Sequence, residues 1–414
     1  MKIPYAAGWF TLLTFLSACS ATQSVDNPDA TSHDSGTPVT LTAVKSYSWG
    51  NEEVVATGDI TIAFNNTGIS ARDKNDGVHV VWAESQKTVR YGYLAKGTTT
   101  WQLHDVPRTA AGAVSKPTLS VNGTTAIVVW NETGPSGIVA GNATTDFGAT
   151  WAGALQISDG GGASASLIAN DSATPFAASV AWVDSTSKRL KVRAIAGSTW
   201  GASSLTAVQT LDANATKPSG DPQIFGKAPS LWITWDNGEE GAGHDVHIAQ
   251  STDGLTFANE HLIGVTQPSR DLNSGNDASG CAVGSSVYLG YQDGNGIYVA
   301  RSTDGGKTFE PKGKIGDGLF AHLECISERA IVAGWEFFTG ANLKNNDVKT
   351  VGSAYTLDGW DTVTGPHAIP GSDTQMGRIM GTASHSDNFL DYWWVETPGA
   401  SAKLGHRAAV IVRE

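Results

Sequence analysis

The sequence predicts an all-β protein, and three observations carry that prediction. The 414 residues include 48 Gly and 14 Trp, and only 16% are charged, a composition typical of β proteins with many turns. Short apolar runs that end in an aromatic residue recur along the chain, and a further β-like run follows each of them. The runs that end in an aromatic are Val78–Trp82, Ala126–Trp130, Ser179–Trp182, Leu231–Trp235, Val287–Tyr291, Ala330–Trp335 and Phe389–Trp394.

The spacing of these runs predicts a β-propeller. Successive terminal aromatics lie 44–59 residues apart, which is the length of a four-stranded blade. The runs are almost wholly apolar, as expected for second strands packed on both faces between neighbouring sheets. Repetition on this scale allows a single domain over residues 42–414. We therefore predict one propeller, with seven blades favoured and six as the alternative.

A third strand is predicted after each second strand. The third strands are Val89–Ala95, Gly137–Ala143, Leu190–Ala196, Asp245–Gln250, Gly296–Arg301, Asp347–Tyr355 and Leu404–Val412. An outer strand is expected after each of the first six, and none follows the seventh. The segment Asp59–Phe64 alternates like a strand and belongs to no repeat. We predict that it supplies the missing outer strand and closes the ring, because closure removes exposed sheet edges.

A turn motif lies between third and outer strands. Ser302–Phe309 reads S-T-D-G-G-K-T-F and resembles the Asp-box (BNR) repeat, S-x-D-x-G-x-T-W/F, of sialidase-like propellers. Thr144–Trp151, Ser251–Phe257 and Thr356–Val363 are less regular copies. In such turns Ser, Thr and Asp side chains bond to nearby backbone N–H groups. The structural Asp-box residues are Asp146, Asp253, Asp304 and Asp358, and the resemblance assigns them to the fold rather than to chemistry.

The charge and the residue clusters exclude several kinds of partner. A formal net charge of −13 disfavours nucleic acid, because phosphates would be repelled. No His or Cys residues cluster at the spacing of metal ligands. We predict no cofactor and no metal, and we expect a monomer.

The N-terminus predicts export. Lys2 precedes the apolar segment Trp9–Leu16, as in a secretory signal peptide. Leu16–Cys19 reads L-S-A-C and resembles the lipobox of bacterial lipoproteins. The resemblance implies a signal peptide over residues 1–18 and a lipid anchor on Cys19. An ordinary secretory signal with a chance Cys is the alternative.

The residues after Cys19 predict where the protein resides. Ser20 follows the Cys, and in sorted lipoproteins such a residue implies the outer membrane or the cell surface. Residues 19–41 are rich in Ser, Thr, Asp and Pro, and we predict that they form a flexible tether between the membrane and the propeller.

The two remaining cysteines occupy equivalent positions. Cys281 lies ten residues before Tyr291, and Cys325 lies ten residues before Trp335. Both therefore fall on the innermost strands of adjacent blades, where the Cα separation suits a disulfide. We predict a Cys281–Cys325 bond, with two buried free thiols as the alternative.

A carboxylate follows every second strand. These acids are Glu84, Glu132, Asp184, Asp236, Asp293, Glu336 and Glu396. In a closed propeller they would form a ring at one face. Two interpretations stay open: the acids cap turns, or the ring binds a cation, an amine or sugar hydroxyls. Convergence of several acids would raise some of their pKa values.

Further candidates come from loops on the face opposite the Asp boxes, where propellers usually bind ligands. They are Arg108, Lys116, Lys217, Asp221, Arg270, Asp271, Asn276, Asp277, His322, Glu324 and Arg378. Three of these loops correspond between repeats and place an arginine each, so the arginines could clamp a carboxylate. The arginines are Arg108, Arg270 and Arg378.

Sialidases use such an arginine triad together with a Tyr–Glu nucleophile pair and an Asp acid. The resemblance therefore makes Asp271 and Glu324 catalytic candidates beside the three arginines. The family's Arg-Ile-Pro motif is absent from this sequence, and no nucleophilic Tyr can be assigned.

Three functions remain open from the sequence. The leading prediction is a lipid-anchored protein that binds an extracellular glycan or a glycosylated or protein surface. The alternatives are a sialidase-like exo-glycosidase and a non-catalytic scaffold in a surface complex. Arginines that converge in one pocket would favour the enzyme, whereas a flat apolar patch would favour the scaffold.

Overall fold

The computed structural model describes most of the chain after residue 43. The described residues are 44–61, 68–108, 112–133, 137–169, 177–213, 215–238, 244–265, 278–294, 296–338, 349–369, 382–386, 389–396 and 402–413. The predicted signal peptide, Cys19 and the predicted tether lie outside them, as do Arg270, Asp271, Asn276, Asp277 and Arg378. Within the described residues no helix is long or apolar enough to cross a membrane.

In the described part of the chain the regular structure is β, apart from one 3-10 turn at Ala202–Ser204. Strands in the first half are β1 Val44–Gly58, β2 Ile60–Thr61, β3 Ser70–Arg72, β4 Val78–Glu84, β5 Thr88–Leu94, β6 Gln102–Val106, β7 Ala113–Asn122, β8 Thr125–Thr133, β9 Ile138–Thr144, β10 Leu155–Gln156, β11 Ala163–Ala169, β12 Ala178–Val183, β13 Leu190–Ile195 and β14 Gln209–Thr210. Those in the second half are β15 Ser219–Lys227, β16 Ser230–Asn237, β17 Asp245–Ser251, β18 Ala258–Val265, β19 Ser279–Val283, β20 Ser286–Asp293, β21 Gly296–Ser302, β22 Glu310–Cys325, β23 Ile331–Phe338, β24 Lys349–Thr356, β25 Thr364–Ala368, β26 Thr382–His385, β27 Phe389–Glu396 and β28 Ala402–Arg413. The predicted all-β class and the predicted second and third strands are confirmed.

The strands pair in antiparallel sheets that follow chain order. Three four-stranded sheets are β7–β10, β11–β14 and β15–β18, and an earlier sheet contains β2 to β6. Strands β19 to β25 form one seven-stranded sheet, because β22 pairs through its first half with β21 and through its second half with β23. The last sheet has the order β1–β28–β27–β26.

The outer strand of the last sheet comes from the N-terminus, but it is not the strand that we predicted. Strand β1 pairs with β28 along its length, from Val44 opposite Arg413 to Gly58 opposite Ala402. The predicted segment Asp59–Phe64 is described only to residue 61, and Ile60–Thr61 pairs instead with the end of β4. The prediction was wrong because β1 has several polar residues and three register shifts, which hide its period-two pattern.

The core lies between neighbouring sheets. The second strands β4, β8, β12, β16, β23 and β27 are almost entirely buried. Their terminal Trp residues are fully buried, and each contributes about 1.5–3 kcal/mol or more by leaving water. The fully buried Trp residues among those described are Trp82, Trp130, Trp182, Trp235, Trp335, Trp393 and Trp394.

The first strands of successive sheets contact each other in the order β3, β7, β11, β15, β19, β22 and β26, and β26 also contacts β3. Side-chain bonds to a neighbouring backbone join several of these pairs. Thr118 Oγ1 donates to Gly68 O at 2.9 Å, Ser166 Oγ accepts from Ile224 N at 3.0 Å, and Gln223 Oε1 accepts from Gly280 N at 2.6 Å.

Between β19 and β22 a covalent bond joins the first strands. Cys281 and Cys325 form a disulfide with a Cα–Cα distance of 5.5 Å. The predicted bond is therefore confirmed. Equal offsets from two aromatic residues were sufficient to predict it, because equal offsets place residues at one height on adjacent first strands.

The four Asp-box turns share one bonding pattern. Each Asp carboxylate accepts from the hydroxyl two residues before it and from the Thr near the end of the turn, with O–O distances of 2.6–2.9 Å. The hydroxyls of Ser302 and Thr308 hold the pKa of Asp304 well below its ordinary value. In the fourth turn Trp360 replaces Gly at a φ of 70° and is buried.

Candidate functional site

The sheets have two distinct ends. Each Asp-box turn follows a third strand, at the end where the first and second strands are joined by a hairpin. The antiparallel order places the opposite end at the start of each first strand and the end of each second strand. We call this opposite end the loop-bearing end, because the connections between sheets and the turns after the second strands lie there.

Four first strands carry the same irregularity near the loop-bearing end. In each, two residues of the first strand lie opposite a single residue of the second strand, which shifts the register. The shifts follow Ser115, Ala163, Gly220 and Leu319. The first residue of each interruption has a positive φ, which is uncommon for residues other than Gly. These residues are Lys116 (48°), Ser164 (50°), Asp221 (32°) and Phe320 (57°). Such bulges re-aim side chains and recur next to binding sites.

Three of the bulge residues come together. The ammonium of Lys116 donates to Ser164 Oγ at 3.0 Å and lies 3.6 Å from Asp221 Oδ1. The Lys116 side chain is 30% exposed and that of Asp221 17%, so both can be reached by a ligand. We call Lys116, Ser164 and Asp221 the bulge cluster. It joins a cation, a hydroxyl and a carboxylate from three consecutive sheets.

A second carboxylate lies behind the bulge cluster. Asp236, at the end of β16, is buried and hydrogen-bonded through Oδ2 to His244 Nδ1. Burial raises the pKa of Asp236, and the nearby charge of Asp221 adds to this, while His244 opposes it. A Cβ at Gly220 would lie 2.7 Å from Asp236 Oδ1. Gly220 therefore allows the backbone of β15 to lie close to this carboxylate.

Three further acids of the predicted ring make local contacts. Glu84 pairs with Arg90 at 2.9 Å, and Glu132 accepts from Trp130 Nε1 at 2.9 Å. Asp184 accepts from the N–H of Ser187 and pairs with Lys191. Burial opposes these contacts, but together they lower the pKa of Asp184 to about 2.

The other acids differ in exposure. Asp293 is partly exposed and Glu336 is fully buried, and the side chain of Glu396 lies outside the described part of the chain. Glu84, Asp184 and Asp236 contact groups of their own sheets, and Glu132 also approaches Arg108 in the connection from the preceding sheet. None of these contacts joins two of the acids, so they favour the turn-capping interpretation over a shared ring.

The arginine triad can be assessed at one position. Arg108 donates from Nη1 to Lys87 O and from Nη2 to Gly112 O, and its Nε lies 3.4 Å from Glu132 Oε1. Arg108 therefore anchors the connection between the first two sheets. Arg270 and Arg378 lie outside the described residues, so their approach to Arg108 stays a prediction.

A cavity of 260 Å³ lies between the first strands. Its lining includes Arg72, Gln223, Phe225, His322 and Glu324. His322 Nε2 and Glu324 Oε1 are 3.2 Å apart, so two of the sequence candidates lie together on one wall. Among the described residues, no three His, Cys, Asp or Glu side chains are grouped as a metal site.

The sequence analysis missed Ser164 and had no reason to group it with Lys116 and Asp221. A usable signal was the proline after two of the bulge residues, at Pro117 and Pro222. Proline inside a strand marks a bulge or an edge strand. Among the described strands β7 pairs only with β8, and β15 pairs only with β16, so both are edge strands.

No protein-family model matches the chain, and no curated protein matches its sequence. Among solved structures, the polysaccharide lyase Uly1 is similar with a TM-score of 0.55 and 11% identity, over 89% of this chain and all of that one (100%). This likeness indicates a shared fold.

Two further solved structures are less similar. Trypanosoma rangeli sialidase in complex with the inhibitor DANA has a TM-score of 0.47 and 10% identity over 88% of this chain, which spans only 60% of the sialidase. The α-L-arabinofuranosidase Arb93a from Fusarium graminearum has a TM-score of 0.45 and 12% identity, over 77% of this chain and 97% of that one.

Proposed function

We propose that the sheets form a single seven-bladed propeller closed into a ring. The proposal is supported by the first strands, which contact one another in chain order from β3 to β26 and back to β3. In this arrangement β22 belongs to two blades, as the outer strand of one and the first strand of the next. The pairing of β1 with β28 would supply the outer strand of the last blade and so complete it.

We further propose that this propeller binds a saccharide at the loop-bearing end, through the bulge cluster. The observation that carries the proposal is the contact of Lys116 with both Ser164 and Asp221. Together these side chains offer hydrogen-bond donors and acceptors at fixed separations, which is what recognition of adjacent sugar hydroxyls requires. Rigid strands hold them, so little ordering is needed on binding.

The comparison with known structures is compatible with this proposal. The structure of a polysaccharide lyase is similar to that of this chain over most of its length. Fold alone does not fix function, and for this reason the proposal rests on the bulge cluster.

A glycan-array screen of the purified chain tests this function. We expect binding to at least one saccharide, and we expect Lys116→Met to weaken it by about tenfold or more, the loss of one or two charged hydrogen bonds. Lys307→Met is the matched control, because Lys307 is exposed in an Asp-box turn at the other end. Equal losses in both variants would contradict the proposed site.

A sialidase-like exo-glycosidase is the second candidate. It is favoured by Asp236, whose pKa is raised chiefly by burial, since a carboxyl group that keeps its proton can serve as the acid of such an enzyme. Release of the fluorophore from a fluorogenic sialoside, or of 4-nitrophenolate from 4-nitrophenyl glycosides, would establish it if Asp236→Asn abolished turnover and retained binding. Binding without turnover would leave a lectin-like protein.

We also propose that the chain is exported and anchored by a lipid on Cys19. The L-S-A-C segment at Leu16–Cys19 supports this. Metabolic labelling with an alkyne fatty acid should label the wild-type protein in the membrane fraction and not the Cys19→Ser variant. Labelling that survives the substitution would contradict the anchor.

A further inference from the structure

Four charged side chains form a network across the last sheet. Glu53 Oε2, on the outer strand β1, lies 3.3 Å from His406 Nδ1, and Asp391 Oδ1, on β27, lies 2.9 Å from His406 Nε2. Arg72, on the first strand β3, bonds to both oxygens of Asp391 at 2.6 and 2.7 Å. We call these four side chains the charge network. It links the N-terminal outer strand to the sheet that contains β3.

The geometry of His406 favours its protonated form. Each ring nitrogen faces a carboxylate oxygen, and an ionised carboxylate can only accept a hydrogen bond. A neutral imidazole has one N–H and one lone pair, so it can satisfy only one of the two carboxylates. With the proton bound, the four charges of the network cancel. Without it a negative charge remains beside His406 and Asp391, which are both buried.

The aromatic neighbours of His406 also favour the charged ring. Trp393, on β27, stacks on the imidazole with ring centroids 4.3 Å apart and an interplanar angle of 27°. Trp101, in the segment before β6, meets the imidazole at 89° with centroids 5.9 Å apart. A cation over the face of an indole ring is attracted by the ring quadrupole. Both neighbours are uncharged, so neither competes with the two carboxylates for the proton.

The two carboxylate contacts of His406 are not equivalent. The contact with Asp391 is the shorter one, and Asp391 is fully buried with Arg72 on its other side. The Glu53 side chain is 42% exposed, so water can replace His406 as its partner. When the proton leaves, Nε2 keeps its hydrogen toward the buried carboxylate, and Nδ1 turns a lone pair toward Glu53. The contact that fails is therefore the one to β1.

Strand β1 is irregular at this contact. Glu53 lies directly opposite His406 in the register, within the short segment Glu52–Val54. The register shifts on both sides of that segment, between Trp49 and Glu52 and between Val54 and Ala56, so the ladder is interrupted at each end. Cross-strand side-chain pairs stabilise a sheet. Loss of the pair with His406 should therefore loosen this segment before it affects the rest of the sheet.

We propose that the proton on His406 is a pH-sensitive latch for strand β1, whose loss frees Glu53 and loosens the segment around it while the Arg72–Asp391 pair stays intact. Burial would lower the pKa of His406, but its bonds with Asp391 and Glu53 outweigh burial and raise the pKa. The latch therefore holds below pH 6.5 and opens as the pH rises through the folded-state pKa. It is independent of the proposed saccharide site, because β1 carries no residue of the bulge cluster.

Hydrogen–deuterium exchange of the full chain between about pH 6 and pH 10, corrected for the intrinsic exchange rate at each pH, tests the latch. We expect the protection of residues 50–56 to fall roughly tenfold or more as His406 loses its proton, the effect of one lost charged hydrogen bond. The protection of residues 389–396, which carry Asp391, should stay constant. Equal losses in both segments, or constant protection of residues 50–56, would contradict the latch.

The variant Glu53→Gln separates the latch from a general effect of pH. The amide of Gln has both a donor and an acceptor, so it can bond to His406 in either protonation state. In this variant the protection of residues 50–56 should not depend on pH. Glu52→Gln is the matched control, because neighbouring side chains of a strand point to opposite faces, and it should keep the wild-type pH dependence. A pH dependence that survives Glu53→Gln would overturn the latch.

A further measurement needs no variant to test the ring itself. In ¹⁵N spectra of the histidines, both ring nitrogens of His406 should carry hydrogen at about pH 6, and Nε2 alone should keep it after the titration. Comparison with His406→Gln assigns the resonances. A ring that is already neutral at the lower pH, or one that keeps its hydrogen on Nδ1, would contradict the proposed direction of opening.

Discussion

Arg72 and Asp391 lie 319 positions apart in the sequence and form a two-point ion pair, with Nε–Oδ2 and Nη2–Oδ1 distances of 2.6 and 2.7 Å. Arg72 ends the first strand β3, and Asp391 lies near the start of β27 in the last sheet. His406 Nε2 adds a contact to Asp391 Oδ1 at 2.9 Å. These charges join the two ends of the folded chain where β26 contacts β3.

Arg72→Met should strongly destabilise the fold. It would leave the buried carboxylate of Asp391 with His406 as its main charged partner, and breaking a buried pair in this way costs about 3–5 kcal/mol. The free energy of unfolding in urea measures the loss. Arg90→Met is the matched control, because Arg90 pairs with the half-buried Glu84 and the exposed Asp105. This substitution should cost less than about 1 kcal/mol. Similar losses for both variants would contradict a special stabilising role for the buried Arg72–Asp391 pair.

The histidine of the same network predicts a pH dependence. Burial would lower the pKa of His406, but its bonds with Asp391 and Glu53 outweigh burial and raise the pKa above 6.5. The folded state therefore holds this proton more tightly than the unfolded state. The stabilisation is complete below pH 6.5 and is lost as the pH rises through the folded-state pKa. The stability difference between wild type and His406→Gln should shrink with increasing pH in that range.

His79 supplies a contrast for that measurement. Burial lowers its pKa below 6.5, against the opposing effect of Asp73. The unfolded state then takes up the proton first, so the contribution of His79 is complete above pH 6.5 and falls as the pH drops below it. Urea unfolding of His79→Gln and His406→Gln should therefore show effects on opposite sides of that pH. Effects on the same side would contradict the assignment.

The Asp-box turns should matter for stability and not for binding. Asp358 accepts from Thr356 Oγ1, Thr362 N and Thr362 Oγ1 at 2.6–2.9 Å. Asp358→Ala should lower the free energy of unfolding by about 1–2 kcal/mol. Saccharide binding on the array should be unchanged, because the turn lies at the opposite end. A selective loss of binding would mean that the ligand uses the Asp-box end.

The disulfide should contribute more than the hydrogen bonds that join other first strands. It closes a sequence separation of 44 residues, and its removal by Cys281→Ser with Cys325→Ser should cost about 2–4 kcal/mol. Gln223→Ala, which removes one bond to Gly280 N, should cost about 1 kcal/mol. Equal effects in urea unfolding would show that the covalent link adds nothing beyond a hydrogen bond.

The sequence predicted features that depend on local pattern. The second strands are continuous apolar runs, and the Cys281–Cys325 pair follows from equal offsets along two of them. Strand β1 escaped prediction because its polar residues and register shifts weaken the alternating pattern. The Arg72–Asp391 pair depends on the contact of β3 with the last sheet, which joins distant segments and which no local pattern encodes.

The candidate site was predicted in part. Lys116 and Asp221 were among the loop candidates, and His322 and Glu324 were expected near a ligand. The grouping of these residues was not predicted. A positive φ is usually marked by Gly, but at this bulge the residue is Ser164. The acids after the second strands were regular in sequence, but Glu84, Glu132, Asp184 and Asp236 each bond to a different kind of partner.

Hydrogen–deuterium exchange with the tightest-binding saccharide from the array tests the bulge-cluster site most directly. The bound form should be protected at residues 113–118, 163–166 and 219–223, which carry the bulge cluster, and unchanged at 302–309 in the Asp-box turn. Protection confined to 302–309, or no saccharide that binds at all, would contradict a saccharide site at the loop-bearing end.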